Sequence, residues 1–385
     1  MARRFLSFAG LLAVSLAAAL VLGEAALRGI GYAAPIWYHP DPVLGWTLRP
    51  GLTAWFRKEG RALVSVNAAG RRDQHVPIGK PAGVYRIAVL GYSYSEAFQV
   101  EREQAYWALL PGRLQACGFE PGKRFQVLNF GVSGYGTAQE YLVLVSRAIL
   151  YQPDLVLLQF TNGNDVKTNS AALEPDKYRP FFVMEGGRLR FDDSFASAPS
   201  FRRSLSPPLV FLRHASDISR LLQLVRDLRN GPFVSAAYVP GSGVEQGLEP
   251  VVLAPPRDSK WSEAWSITEA LIRMTAEHAV RNGARFLLFS VPYAIQVHPD
   301  PEVRAQLQRK LGVEHLLYPD QRLAEFGKRN GVPVLPLAPS MQRLAEERGA
   351  FFHGFENVGI GRGHWNAEGH RVAAELIAQH VCAEN

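Results

Sequence analysis

Val89-Leu90-Gly91-Tyr92-Ser93-Tyr94-Ser95-Glu96 is an apolar run that stops abruptly at a serine. Arg86 to Leu90 predicts a short buried strand, and Gly91 admits the tight turn that a side chain would obstruct. Ser93 then stands where a parallel strand ends and its loop begins, the edge on which open α/β sheets place their ligands. Taken alone, the stretch is better read as an ordinary strand-to-helix turn in which Ser93 or Ser95 caps the following helix. Three later segments reverse that preference.

Val127-Leu128-Asn129-Phe130-Gly131-Val132-Ser133-Gly134-Tyr135-Gly136-Thr137 runs from a strand through a glycine-rich turn into a helix. Such a turn presents backbone N–H groups at a helix N-terminus, which suits a phosphate or an oxyanion. The glycines do not follow the dinucleotide order G-x-G-x-x-G. In Leu157-Leu158-Gln159-Phe160-Thr161-Asn162-Gly163-Asn164-Asp165 a hydrophobic strand ends in amides and a carboxylate. An amide donor there can polarise a carbonyl, although turns also use Asn and Asp merely to cap the backbone. Gly361-Arg362-Gly363-His364-Trp365-Asn366-Ala367-Glu368-Gly369-His370 places a histidine on a glycine-rich loop before an amphipathic helix, free to meet a serine and with an intrinsic pKa suited to a general base. His370, within the helix, reads as structural. His353, His364 and His370 match no standard metal-ligand spacing.

These segments sit in an alternating pattern. Strands are predicted over 86–90, 124–130, 154–160, 285–291 and 332–336, and helices over about 103–117, 137–151, 262–282, 320–330 and 366–382. The alternation predicts an α/β fold with a doubly wound, flavodoxin-like, parallel five-stranded sheet and helices on both faces. Residues 85–385 form this main domain, interrupted over about 167–260 by a segment too long for a bare loop. That segment carries Pro207-Pro208, Gly186-Gly187 and an amphipathic stretch from Ile218 to Leu228, and is expected to be a partly helical insertion, a lid beside the active edge. Residues 25–84 read as a β-containing lead-in, with Ala62 to Asn67 alternating in polarity. Trp37, Trp46 and Trp55 within it are read as core rather than as a sugar or lipid groove.

With 385 residues and 47% apolar content the chain can bury a large core. Forty-two Lys and Arg against 35 Asp and Glu leave a net +7, spread without a basic block, which favours anionic lipid or glycan surfaces and argues against nucleic acid. Residues 1–24 hold Arg3 and Arg4 followed by the uncharged run Phe5 to Leu22, whose 18 residues just suffice to span a bilayer. Gly23-Glu24-Ala25 is only a passable cleavage site, so an uncleaved signal anchor is preferred to a signal peptide. The N-terminal arginines would keep that end cytoplasmic and send the rest across the membrane. No cofactor is called for, and nothing in the sequence identifies a protein partner.

In this order the four segments resemble the SGNH, or GDSL-type, serine hydrolases. The resemblance covers residues 85–385 apart from the insertion. It implies Ser93 as nucleophile, His364 as base, and Gly134 and Asn164 with the Ser93 amide as oxyanion donors. It further implies a periplasmic or extracellular esterase or deacylase working through an acyl-enzyme on an acylated small molecule, glycan or lipid, acetyl being the foremost acyl group. O-acetyl transfer to an exported polysaccharide and a catalytically impaired glycan- or lipid-binding descendant are the alternatives. Two departures matter. Tyr92 stands where the family has an aspartate before the serine, and Gly361 stands where it has an acid three residues before the histidine. The first is expected to leave the serine imperfectly held and its activity weak. For the second, Glu356 is the nearest upstream acid and the candidate to orient His364. In such a fold the first and last helices pack on one sheet face, so Cys117 and Cys382, near the ends of those helices, are expected to lie close enough to bridge.

Overall fold

A computed structural model describes residues 2–229 and 249–384. The apolar N-terminal run forms the front of a helix, α1 (Ala2–Gly29), that continues past Leu22. Its stretch Phe8–Gly29 has a mean hydropathy of 2.0, is long and apolar enough to cross a membrane, and contains no fully buried residue. The lead-in follows as two antiparallel hairpins, β1 (Tyr38–Asp41) with β2 (Gly45–Leu48) and β3 (Thr53–Phe56) with β4 (Ala62–Ser65). Trp37 packs on Phe98 and Trp46 on Tyr135, so these two indoles tie the lead-in to the main body.

The central sheet is built from β5 (Val84–Leu90), β6 (Arg124–Asn129), β7 (Leu155–Thr161), β10 (Arg285–Val291) and β11 (Val334–Pro336). The spatial order is β11-β10-β7-β5-β6, all pairs being parallel, which is the doubly wound arrangement expected from the alternation. The order in which strands are added reverses between β5 and β7. Their carboxyl ends therefore flank the crevice where such sheets hold ligands. Every residue of β5 and β7 is buried, as strands covered on both faces require. Arg86 is tolerated there because its five guanidinium hydrogens meet Gln126 Oε1 and the carbonyls of Pro77, Ile78, Gly79 and Tyr151 at 2.7–2.9 Å.

After β5 come the one-turn helix α2 (Ser93–Glu96) and α3 (Tyr106–Ala116); α4 (Thr137–Ser146) follows β6, and the short α5 (Asp165–Thr168) follows β7. The insertion supplies a hairpin, β8 (Phe181–Glu185) with β9 (Arg188–Asp192), turned on Gly186 and Gly187, then α6 (Pro199–Ser204), α7 (Pro207–Ala215) and α8 (Arg220–Arg229). It is partly helical as expected, and its remainder over 230–248 lies outside the described residues. Rather than standing alone as a lid, α8 docks against α1. The chain resumes with α9 (Ser259–Arg281), α10 (Pro301–Leu311), α11 (Tyr318–Asn330), α12 (Ala338–Arg348), a hairpin of β12 (His353–Phe355) with β13 (Gly359–Trp365), and α13 (Ala367–Ala383).

One core cluster joins the sheet to α4, α9 and α11, and a second joins its other face to α3, α12 and α13. On that second face α3 lies against α13, and Cys117 and Cys382 at their ends form a disulfide with Cα atoms 6.4 Å apart. Two expectations need correction. The segment before α13 is not a mobile glycine-rich loop: Gly359–Trp365 is a strand paired to β12. The predicted helix over 137–151 stops at Ser146, and a 3₁₀ turn over Ala148–Tyr151 ends at Gln152, where the following Pro153 disfavours any further helix.

Candidate active site

Ser93 opens α2 directly after the strand-ending turn, so its backbone N–H lies at a helix N-terminus and its hydroxyl at the carboxyl edge of the sheet. The turn is tied down by neutral groups. Gln159 Oε1 accepts from Tyr92 N–H at 3.2 Å and from Ser95 Oγ at 2.6 Å, while the Ser95 carbonyl accepts from Asn129 Nδ2 and Trp107 Nε1, each at 2.8 Å. This corrects the expectation that Tyr92 leaves the serine loosely held. The turn is held by Gln159, Asn129 and Trp107. The Tyr92 ring itself is half-buried and takes no part in that network; burial raises its phenol to about 12, with the Arg179 charge opposing.

His364 enters from β13. Its Nε2 lies 2.7 Å from Ser93 Oγ. On the other side of the ring, Nδ1 lies 2.6 Å from Glu59 Oε2, and the His364 backbone N–H donates to Glu59 Oε1 at 2.7 Å. With the proton on Nδ1 directed at the carboxylate, the Nε2 lone pair faces the serine hydroxyl. Glu59 belongs to the connection between β3 and β4, so the third member of the relay comes from the lead-in. Burial raises the pKa of Glu59, but its contacts with His364 and Gln99 outweigh this and hold it below the ordinary value. It is therefore ionised at neutral pH. The candidate Glu356 is exposed in the turn between β12 and β13, and Glu59 occupies the orienting position in its stead.

Two local features let Glu59 reach the histidine. Gly363 has φ +69°, and a Cβ there would stand 2.1 Å from Glu59 Oε1, so only glycine leaves room for the carboxylate. Asn357 clamps the loop that carries Glu59, accepting from Gly60 N–H at 2.9 Å and donating to the Arg57 carbonyl at 3.1 Å.

The two other predicted donors are also fixed. Trp46 Nε1–H donates to the Ser133 carbonyl at 3.0 Å. In a trans peptide the N–H points opposite to the C=O, so this bond fixes the direction of the Gly134 N–H. Glu96, buried in α2, accepts from Ser133 N–H at 3.0 Å, from Ser133 Oγ at 2.5 Å and from the Tyr38 hydroxyl at 2.9 Å, binding the glycine-rich turn to the helix that Ser93 opens. Burial raises its pKa. Beyond the end of β7, Asn164 Oδ1 accepts from the Tyr293 hydroxyl at 2.9 Å, with the amide's NH₂ on its other branch. Tyr293 lies so close to Gly163 that a Cβ there would fall 1.4 Å from its ring.

Ser93, His364, Gly134 and Asn164 are thus gathered at the carboxyl edge of the sheet. Sequence reasoning missed Glu59, Tyr293 and Glu96, whose roles depend on contacts from remote elements. The other two histidines are engaged elsewhere: buried His353 lies 3.1 Å from the Pro292 carbonyl and buried His370 accepts from Tyr106 N–H at 3.3 Å, each pushed down to about 3 by burial. Among the described residues no three His, Cys, Asp or Glu side chains cluster as metal ligands would.

Strand order and the placement of the four blocks together decide the architecture. The fold is a doubly wound α/β one, with the four blocks placed as the resemblance to SGNH hydrolases implies. Solved structures similar to this chain include an alpha/beta hydrolase enzyme from the metagenome of Lake Arreo, Spain, at 15% identity, covering 78% of this chain and 96% of that one with a TM-score of 0.39. An acetyl xylan esterase is similar at 12% identity over 77% and 99% of the two chains, TM-score 0.38. A GDSL-like lipase from Bacteroides thetaiotaomicron is similar at 13% identity over 78% and 89%, TM-score 0.34. No protein-family model and no curated protein matches the sequence.

Proposed function

We propose that this protein is a membrane-anchored serine esterase or deacylase whose catalytic domain faces outward from the cytoplasmic membrane and removes an acyl group, acetyl foremost, from a glycan, lipid or small-molecule ester. The observation that carries the reading is the continuous relay Ser93 Oγ to His364 Nε2 and His364 Nδ1 to Glu59, both links within 2.7 Å. His364 takes the hydroxyl proton as Ser93 Oγ bonds to the ester carbonyl carbon. The carbonyl oxygen, now negative, is held by N–H groups of Ser93 and Gly134 and by the Asn164 amide. Collapse of the tetrahedral adduct breaks the bond to the alcohol, which leaves with the proton from His364. Water then attacks the acyl-serine with His364 again as base, and the acid departs. Glu59 stays ionised throughout, fixing the imidazole tautomer and stabilising the imidazolium.

A fluorophosphonate probe tests this directly. The full chain should be labelled, and Ser93→Ala should not be. A folded parent that stays unlabelled would replace the enzyme by a glycan- or lipid-binding protein. A screen of acetylated sugars, short acyl esters and lysophospholipids would then name the substrate.

A further inference from the structure

The insertion helices carry a surface that the catalytic reading does not use. Phe211 and Leu212 on α7, Ile218 in the connection, and Leu222, Val225 and Leu228 on α8 are each between 53% and 73% exposed. A ridge of exposed apolar side chains so closely spaced along two successive helices is costly in water unless something covers it. The same segment from Pro199 to Arg229 bears six arginines and two aspartates, and Asp217 is already paired with Arg49 and Arg226.

Its position identifies the cover. Glu24 near the end of α1 caps α8: Oε1 accepts from Arg220 N–H at 3.0 Å, and Oε2 accepts from Leu221 N–H at 3.1 Å and Ser219 Oγ at 2.9 Å. Arg28 donates to the Ile218 carbonyl at 2.5 Å, and Leu221 packs against Gly23. The ridge is therefore fastened to the last turns of the one helix among the described residues long and apolar enough to span a bilayer. A helix held at that level, apolar on one side and rich in arginine, suits the boundary between acyl chains and anionic headgroups.

We propose that α7 and α8 lie in the headgroup region of the bilayer spanned by α1, seating the active site at the lipid surface. The seat reaches the site through a short stretch of chain. Ala34 N–H donates to Gln223 at 2.8 Å and Ile36 N–H to Asp217 at 3.1 Å, and two residues later Tyr38 binds Glu96 of the nucleophile helix. The substrate is accordingly an ester presented close to the membrane. This rests on the reading of α1 as an uncleaved anchor.

The test uses the full chain in vesicles of phosphatidylcholine and phosphatidylglycerol containing brominated lipid, with a bimane label on Leu16→Cys, Phe211→Cys, Val225→Cys or Val280→Cys. Labels at 16, 211 and 225 should lose most of their emission to the brominated chains, and the label at 280, on exposed α9, should not. Quenching at 16 with labels at 211 and 225 as bright as that at 280 would overturn the lipid seat and leave the anchor standing. No quenching at 16 would remove the anchor and the seat together.

Discussion

Glu59 and His364, 305 positions apart in the chain, are joined by two hydrogen bonds of 2.6 and 2.7 Å, one to the ring and one to the backbone. The pairing fixes both the tautomer and the tilt of the imidazole, and so compensates for Gly361. Glu59→Gln preserves the shape while removing the charge, and it should lower kcat on a simple ester by about 10³ to 10⁴-fold. Glu356→Gln should leave kcat unchanged. Equal rates for Glu59→Gln and the parent would show that the histidine needs no acid.

Asn164 is aimed by a neighbour. Removing its amide with Asn164→Ala should cost about 10² to 10³ in kcat, as for other oxyanion donors. Tyr293→Phe deletes only the hydroxyl that orients it, one hydrogen bond worth about 1 kcal/mol, so a loss of roughly five- to tenfold is expected, in kcat with KM unmoved. Steady-state kinetics on one ester separates the two. A Tyr293→Phe defect confined to KM would mean that the tyrosine binds substrate instead.

Tyr92→Asp should not improve the enzyme. The serine turn is already held by Gln159, Asn129 and Trp107, and a carboxylate at 92 would be placed near Glu174 and Glu96, which already raise the tyrosine's pKa. Turnover should match or fall below the parent's at equal folded concentration, with Ser93→Ala as the blank. Faster hydrolysis by Tyr92→Asp would show that the tyrosine does impair the nucleophile.

Beneath the site, Asp165 and Glu140 are buried together. Burial pushes Asp165 up to about 8, and Glu140 is raised by burial and by the charge of Asp165. Between the ordinary carboxylate range and these raised values the folded protein binds more protons than the unfolded chain. Stability should therefore fall as pH climbs through that window and level off above it. Asp165→Asn keeps an acceptor for Thr161 N–H but cannot ionise, so its urea midpoint should drop less than the parent's between pH 5 and pH 8. Parallel pH profiles for the two proteins would contradict the buried proton.

The Cys117–Cys382 bridge closes a span of 265 residues and staples α3 to α13 on one sheet face. Its loss in the Cys117→Ser, Cys382→Ser double variant should cost about 2 to 5 kcal/mol, read as a lower Tm. The parent in reducing buffer should approach the variant. A Tm indifferent to both would mean that packing between the helices suffices.

The sequence by itself determined the strands of the sheet and its doubly wound class, because strands covered on both faces must be continuous apolar runs and their ends must be marked by turn residues. Ser93, Gly134, Asn164 and His364 stood out because each sits at the end of such a strand or beside the last helix, but the roles proposed for them came from the resemblance to SGNH hydrolases and not from local pattern alone. Only the tertiary structure decided which acid serves His364. Glu59 lies in a hairpin connection with no periodic signal, and its role arises from Asn357, Gly363 and the β12–β13 pairing, all close to 300 residues away in sequence. The support of the serine turn was hidden likewise. Gln159 and Trp107 read locally as a strand residue and a helix residue, and their hydrogen bonds to the turn exist only once β7 and α3 pack around it. Short-range pattern fixes where a chain can present a side chain; long-range packing decides what that side chain meets.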